Sequence, residues 1–504
     1  MGHVALSRSP VAATAGTGKS ACATRLWLGS HDGSSLALRR GFLVPPVVLV
    51  TYSKYGVRNA VARWRARLAL GIVCAWDCSA MPTLLTDTQT IDAPAEKSGG
   101  AAGYSHKPDA AAIAMSRKIK FEGRPVWAEI SIADILHNLR VIRRQVGTQR
   151  KILAVVKANA YGLGSVPISR ALARAGTEWL GVTCSREGIE LREAGIRKRI
   201  LVLTGFWPGE EEILLLHGLT PTVTRVDQLR PLEKVAARAA GRKRNFRAPF
   251  HLKINTGMNR LGIEPRDVDA FAKELERCPH LKLEGTYTHF ASAEDFTSDQ
   301  TARQEKKFFA ALERLRALGV SPGMVHLANS GAICARPSTW GDVVRPGAIL
   351  YGYHQGFDPP EKKAEVMKQM DLRPCLSLRA RIISLREVPA GEGVGYGARF
   401  VTKRPSRIAV IAAGYADGLV RARTNRGDAL LRGKRVPIVG TISMDLATVD
   451  ATAVPDAAIG DIVTIYGSDG ADSIEVSDAA REIGTVTSDL LCALGRRVRR
   501  FYLS

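Results

Sequence analysis

Eight short apolar runs alternate with amphipathic stretches between Ile152 and Arg345, and this alternation constrains the fold more than any other feature of the chain. The runs are Ile152–Val156, Trp179–Thr183, Ile200–Thr204, Thr220–Val223, Phe250–Ile254, Leu283–Thr288, Met324–Leu327 and Asp342–Arg345. Segments such as Pro231–Ala240 and Gln300–Leu318 lie between them, with apolar residues spaced for one helix face. Strands buried on both faces read as near-continuous apolar runs, and parallel neighbours need a long, usually helical, crossover. Eight such units, counted with the regular pattern from Arg124 onward, cover roughly 230 residues and predict an α/β fold, a (β/α)8 TIM barrel, whose usual length is about 250 residues. Just ahead, Val126–Ile130 is strand-like, and Ser131-x-x-Asp134 is a capping-box-like opening for a helix through Arg143.

After about Pro360 the period changes. Leu376–Arg386, Ile408–Ala412, Val436–Val439, Ala447–Val449 and Ile462–Ile465 are short, β-branched and separated by Gly- and Pro-rich turns, which predicts a smaller β-rich domain. Ile483–Arg500 is expected to be a helix with a basic end. The chain therefore divides into a basic extension (1–114), the barrel (115–362) and a β-rich C-terminal domain (363–504). Residues 1–70 hold one acid, Asp32, among many arginines. Gly16-Thr17-Gly18-Lys19-Ser20 resembles a phosphate loop, but Ala13 stands where its first glycine belongs and no strand precedes it. Arg39-Arg40-Gly41-Phe42-Leu43 is similar to a twin-arginine export sequence, yet Pro45-Pro46 interrupts the apolar run after it; the composition also fits an organellar transit peptide. A disordered extension ahead of Met115 is the preferred expectation.

No apolar run reaches about 18 residues, so no membrane-spanning helix is expected. The formal net charge of +24 would attract an anionic partner. Without a zinc-finger spacing or an RNA-recognition motif, nucleic-acid binding is the remote alternative. An anionic cofactor and a carboxylate substrate would gain from the same field. Eight scattered cysteines without a C-x-x-C spacing read as reduced thiols, and no metal cluster stands out.

A barrel carries its active site at the C-terminal ends of its strands. Lys157 follows the first run; Lys253 and Arg260 lie at and after the fifth; His289 ends the sixth; Asn329-Ser330 follow the seventh; Arg345-Pro346-Gly347-Ala348 follow the eighth. These polar groups would converge on one mouth. A lysine desolvated there loses its proton and can form a Schiff base with an aldehyde.

The strings that hold these residues are specific. They are Val155-Val156-Lys157-Ala158-Asn159-Ala160-Tyr161-Gly162, the stretch from Leu252 to Gly262, Thr288-His289-Phe290-Ala291 and Arg345-Pro346-Gly347. Gly395-Tyr396-Gly397-Ala398, Gly414-Tyr415-Ala416-Asp417-Gly418 and Ser443-Met444-Asp445 follow in the β-rich part. From about Arg124 to the C-terminus the chain resembles the alanine racemases, pyridoxal-phosphate enzymes of fold type III. The resemblance implies interconversion of L- and D-alanine, D-alanine supply for peptidoglycan, a cytoplasmic location and a homodimer with shared sites. It implies that Lys157 holds pyridoxal 5'-phosphate and is one proton-transfer base, with Tyr396 of the second subunit as the other. Arg345 would face the pyridine nitrogen, leaving it unprotonated and the electron sink weakened. His289 would join the proton network, and Tyr161, Ser330, Gly347 and Ala348 would hold the phosphate. Arg260 and the partner subunit's Met444 would bind the substrate carboxylate, and Lys253 matches a lysine that family members often carry as a carbamate.

Two positions depart from the family pattern. Asn255 replaces an acid, with no assigned role affected. Thr487-Ser488-Asp489 stands where an Asn-Tyr-Glu-like string is usual. Ser488 keeps a hydroxyl for the phosphate but would widen the pocket, so a racemase acting also on serine or larger amino acids is the alternative. A small cofactor-homeostasis protein of the same barrel lacks the β-rich domain, and the Tyr396 and Met444 strings match racemases rather than related decarboxylases.

Overall fold

The computed structural model describes residues 123–241, 245–354 and 356–504; expectations for residues 1–114 lie outside them. All eight expected barrel strands are present, at Lys151–Val155, Trp179–Val182, Arg199–Val202, Thr220–Val223, Ala248–Lys253, Leu281–Tyr287, Met324–His326 and Val343–Val344. Each strand pairs in parallel with the next from the first to the seventh, and the eighth pairs with the first. The seventh and eighth are stitched by loop contacts: Asp342 N–H donates to the Val325 carbonyl at 2.7 Å and Arg345 N–H to the Ala328 carbonyl at 3.1 Å. Crossover helices such as Leu229–Ala240 and Gln300–Ala317 bury one face each, as the 3.6-residue spacing requires. Ser131 caps the helix Ile132–Val146 by accepting from Asp134 N–H at 3.1 Å.

The β-rich part is more closed than its sequence implies. Leu376–Val388 pairs with both Ser406–Ile411 and Ile462–Asp469, and the ladder continues through Ala447–Asp450, Lys434–Val439 and Asp428–Leu431 back to Ile462–Asp469. Six strands thus form a small antiparallel barrel without free edges on that ring. The strand ahead of the (β/α)8 barrel, Val126–Ser131, joins this sheet, antiparallel to Leu376–Val388 and parallel to Arg499–Leu503.

The expected helix over Ile483–Arg500 is corrected. Helices span Val476–Glu482 and Thr487–Cys492, and Arg499–Leu503 is a strand. Gly484 at φ 74° ends the first helix. Near Gly495 the chain passes so close to the Ala416 carbonyl that a Cβ would lie 2.0 Å from it. The released segment then takes the open edge of Val126–Ser131, a partner some 370 positions away that no local pattern identifies.

One continuous apolar cluster runs from the (β/α)8 barrel into the second domain. Beside it, buried Glu129 accepts from Arg379 Nε at 2.8 Å and from Trp127 Nε1 at 2.9 Å, and Arg379 also reaches Thr464. Among the described residues no helix is long and apolar enough to cross a membrane. Removing one member of a buried pair leaves the other charge uncompensated. Glu129→Leu is therefore expected to lower the unfolding free energy by about 3–5 kcal/mol in urea denaturation; a loss under about 1 kcal/mol would show that Arg379 is not held by this pair.

Candidate active site

Lys157 sits at the end of the first barrel strand, and the backbone after it turns the wrong way for L-residues. Ala158, Asn159, Ala160 and Tyr161 have φ of 52°, 55°, 51° and 57°, one turn of left-handed helix. At roughly 1–2 kcal/mol per residue, the turn stores on the order of 4–8 kcal/mol. Its surroundings hold it. Glu187 accepts from Ala158 N–H and Thr183 N–H, both at 2.7 Å, and Asn159 Oδ1 accepts from Ser165 N–H at 2.7 Å. Gly162, at φ 80°, closes the turn, where a Cβ would meet the Leu491 carbonyl at 2.5 Å. That close approach brings the Thr487–Cys492 helix, and with it Ser488, to the cavity.

Arg345 is fully buried at the mouth. Its Nη2 donates to the carbonyls of Thr288 and Leu327, both at 2.8 Å, and lies 3.2 Å from His289 Nδ1; its Nη1 lies 3.2 Å from His326 Nδ1. An arginine only donates, so both Nδ1 atoms accept, and each neutral ring carries its proton on Nε2. Burial first, and then the Arg345 charge, holds His289 and His326 well below the usual histidine value. Burial lowers Arg345 itself to about 10, so it remains a cation at neutral pH.

Two lysines share this field. Burial, then the Arg260 charge, lowers Lys157. Burial, then Arg345, Arg260 and Lys157, brings Lys253 down to about 7. Lys253 can therefore act as a neutral amine near neutral pH, and Lys157 gives up its proton more readily than a solvated lysine.

The same cavity holds a cradle for an oxyanion. Ser330 Oγ accepts from Gly347 N–H at 3.0 Å. A Cβ on Gly347 would lie 2.4 Å from the Tyr161 hydroxyl, so only glycine leaves room there. Two hydroxyls around an open backbone corner suit a phosphate group. Arg260 reaches the cavity from a loop that Asn255 organises: its Oδ1 accepts from Gly257 and Asn259 N–H, and its Nδ2 donates to Glu264 at 2.7 Å. An aspartate there would face Glu264 with a second negative charge, so Asn255, which carries no assigned role itself, shapes the loop that presents Arg260.

The cavity, about 240 Å³, brings together Lys157, Tyr161, Lys253, Arg260, His289, Ser330, Arg345, Gly347, Ala348 and Ser488. It does not include Tyr396 or Met444, which lie on the second domain 75% and 52% exposed. Local spacing does not single out Glu187 and His326, which act on distant backbone and side chains, or Tyr287 and Glu294, which also line the cavity. A larger cleft, about 1280 Å³, opens at the opposite end of the barrel without convergent catalytic groups.

Family models described as "Alanine racemase, N-terminal domain" and "Alanine racemase, C-terminal domain" match residues 130–355 and 375–502. An alanine racemase of Halothermothrix orenii is 38% identical over 379 residues, spanning 75% of this chain and 97% of that protein. The chain belongs to the alanine racemase family. It is an amino-acid racemase, with the TIM-like barrel and β-rich domain of its relatives. The alanine racemase of Desulforamulus reducens is 39% identical over 381 residues, covering 75% of this chain and 99% of that one. Among solved structures, alanine racemase of Clostridium difficile 630 superposes with a TM-score of 0.69 at 30% identity, covering 76% of this chain and 97% of that one. The Bartonella henselae alanine racemase, solved with covalently bound pyridoxal phosphate, gives 0.66 at 30% identity, covering 76% and 100%.

The buried imidazoles of this racemase make its stability depend on pH. His251, His289 and His326 are all lowered by burial, so below about pH 6.5 the unfolded chain binds protons that the native chain refuses. Their contribution is present above that pH and lost as pH falls through it. The unfolding free energy is expected to drop by about 1.4 kcal/mol per pH unit for each of His289 and His326 below that point, with His251 adding in the same direction. Urea titrations at pH 7 and 5.5 check this, and equal stabilities would contradict the neutral assignment.

Proposed function

We propose that this racemase interconverts L- and D-alanine with pyridoxal 5'-phosphate, as a homodimer whose sites each combine two subunits. The observation that carries the reading is a split: Lys157 lies in the cavity, while Tyr396 stands exposed on the other domain. Racemisation needs a proton removed from one face of the α-carbon and another delivered to the opposite face. A covalently bound pyridoxal phosphate, as named for the Bartonella henselae relative, supplies the electron sink for that exchange.

The chain's residues do the rest. Lys157, with its lowered proton affinity, takes and returns the proton on one face. The partner subunit's Tyr396 serves the other face, and the Nε2–H of His289 is free to donate to its phenolate oxygen. Arg345 would face the cofactor's pyridine nitrogen and, keeping its own proton, would donate none to it. Tyr161, Ser330, Gly347 and Ala348 hold the phosphate. Arg260, with the backbone N–H of the partner subunit's Met444, binds the substrate carboxylate. Lys253, brought down to about 7 by burial and the neighbouring cations, can as the free amine add carbon dioxide to form a carbamate and release a proton, which places an anion beside Arg260. We assign the product to D-alanine supply for peptidoglycan in the cytoplasm.

Subunit mixing tests the shared site. Lys157→Ala and Tyr396→Phe should each be inactive alone, whereas an equimolar remixed pair should recover about a quarter of wild-type activity, because half the dimers carry one intact site. No recovery, followed by circular dichroism on L-alanine, would overturn the shared arrangement.

Ser488 favours a second reading on substrate range, since it lines the cavity where the family pattern has an aromatic wall. Ser488→Tyr is expected to raise the ratio of kcat/KM for L-alanine over L-serine by about tenfold. An unchanged ratio would leave Ser488 without a part in selectivity.

A further inference from the structure

Barrel interiors are usually filled by layers of branched apolar side chains. Here a file of polar groups crosses the interior instead. Arg345 Nη1 donates to His326 Nδ1 at 3.2 Å, His326 Nε2 lies 2.9 Å from His251 Nδ1, and His251 Nε2 lies 3.9 Å from Glu284 Oε2. Glu284 pairs with Arg199, and both line the large cleft at the barrel floor. The proton positions follow from the arginine. Because His326 Nδ1 must accept, its Nε2 carries the proton and donates to His251 Nδ1; His251 then carries its proton on Nε2, facing the Glu284 carboxylate. Any other arrangement sets two donors or two acceptors against each other.

The fold is shaped around this file. Opposite the fifth strand, Phe250 pairs with Leu283 and His251 with Gly285, so Glu284 is an inserted bulge residue. Bulges re-aim side chains, and this one turns the carboxylate toward His251. A Cβ on Gly285 would lie 2.8 Å from His251 Nδ1, so glycine leaves a slot for the ring. Trp179 meets His251 edge-on with centroids 5.3 Å apart, and Tyr287 stacks on His326 at 4.6 Å. Neither imidazole is free to turn.

We propose that His251 is a positioning residue for the racemase reaction: its Nδ1 accepts from His326 Nε2–H, with its own Nε2 turned toward Glu284, and so it keeps the His326 ring and the Arg345 guanidinium in place at the mouth. The Arg199–Glu284 pair at the floor is the far anchor of this file. The inference rests on the reading that pyridoxal phosphate binds beside Arg345.

Three substitutions separate orientation from packing. The Asn side chain places Oδ1 near the Nδ1 position of histidine and can accept from His326; Gln reaches only the Nε2 position, and Phe offers no acceptor. Holoenzymes of His251→Asn, His251→Gln and His251→Phe are compared by kcat, by KM for L-alanine and by thermal midpoint, and their apo forms by affinity for pyridoxal phosphate read from absorbance. His251→Phe and His251→Gln are expected to lose about tenfold in both kcat and cofactor affinity, with KM within about twofold. His251→Asn should stay within about threefold of wild type in both, although it leaves the largest void. Glu284→Gln, at the floor, should move kcat the same way by about twofold to threefold with its thermal midpoint unchanged. A ranking that follows lost volume, with His251→Asn worst, or variants all matching wild type, would overturn the proposal. Wild-type protein that binds pyridoxal phosphate yet does not racemise alanine would overturn the proposed function, while the affinity series would still decide the part of His251.

Discussion

A single buried guanidinium organises the barrel mouth. Arg345 is removed from water with no carboxylate beside it among the described residues, a state tolerated only when its donors are satisfied. Two carbonyls and two imidazoles supply acceptors, and the imidazoles can do so only when neutral. Its charge then reaches outward, lowering Lys253 and adding to the burial that keeps His289 and His326 unprotonated. One cation thus fixes where protons sit through much of the site, before any ligand arrives.

The left-handed turn after Lys157 is the complementary constraint. Its conformational cost is unfavourable locally, so it persists only because Glu187, Asn159 and the Thr487–Cys492 helix overdetermine it. The strain keeps Lys157 and Tyr161 on one short, rigid segment, which holds the amine and the tyrosine hydroxyl at a fixed spacing. Ser488 reaches the same cavity through this packing, so a position near the chain's end helps shape the pocket.

The second domain contributes through what it leaves exposed. Tyr396 and Met444 sit on loops of the closed antiparallel barrel, outside the cavity of their own chain. Exposed tyrosine and methionine side chains are suited to a protein interface, because each carries a large apolar body at modest entropic cost. The chain's first and last described strands lie side by side in this sheet, binding the domain to the start of the (β/α)8 barrel.

Periodicity made much of this legible from sequence. The eight apolar runs, the shift of pattern after Pro360 and the placing of Lys157, Lys253, His289, Ser330 and Arg345 at strand ends all follow from local spacing and the geometry of parallel strands. Local spacing did not reveal that Val126–Ser131 pairs with Arg499–Leu503, nor that Gly484 and Gly495 break the expected terminal helix. It did not single out Glu187, whose carboxylate matters only because a distant backbone turn needs it, or His251, whose ring has a role only beside His326 and the bulged Glu284. Which elements form and which chemical groups reach the mouth were already set by neighbours a few residues apart along the chain. Which groups are buried together, and so where their protons sit, emerges only on folding, because desolvation and charge coupling act through space rather than along the chain.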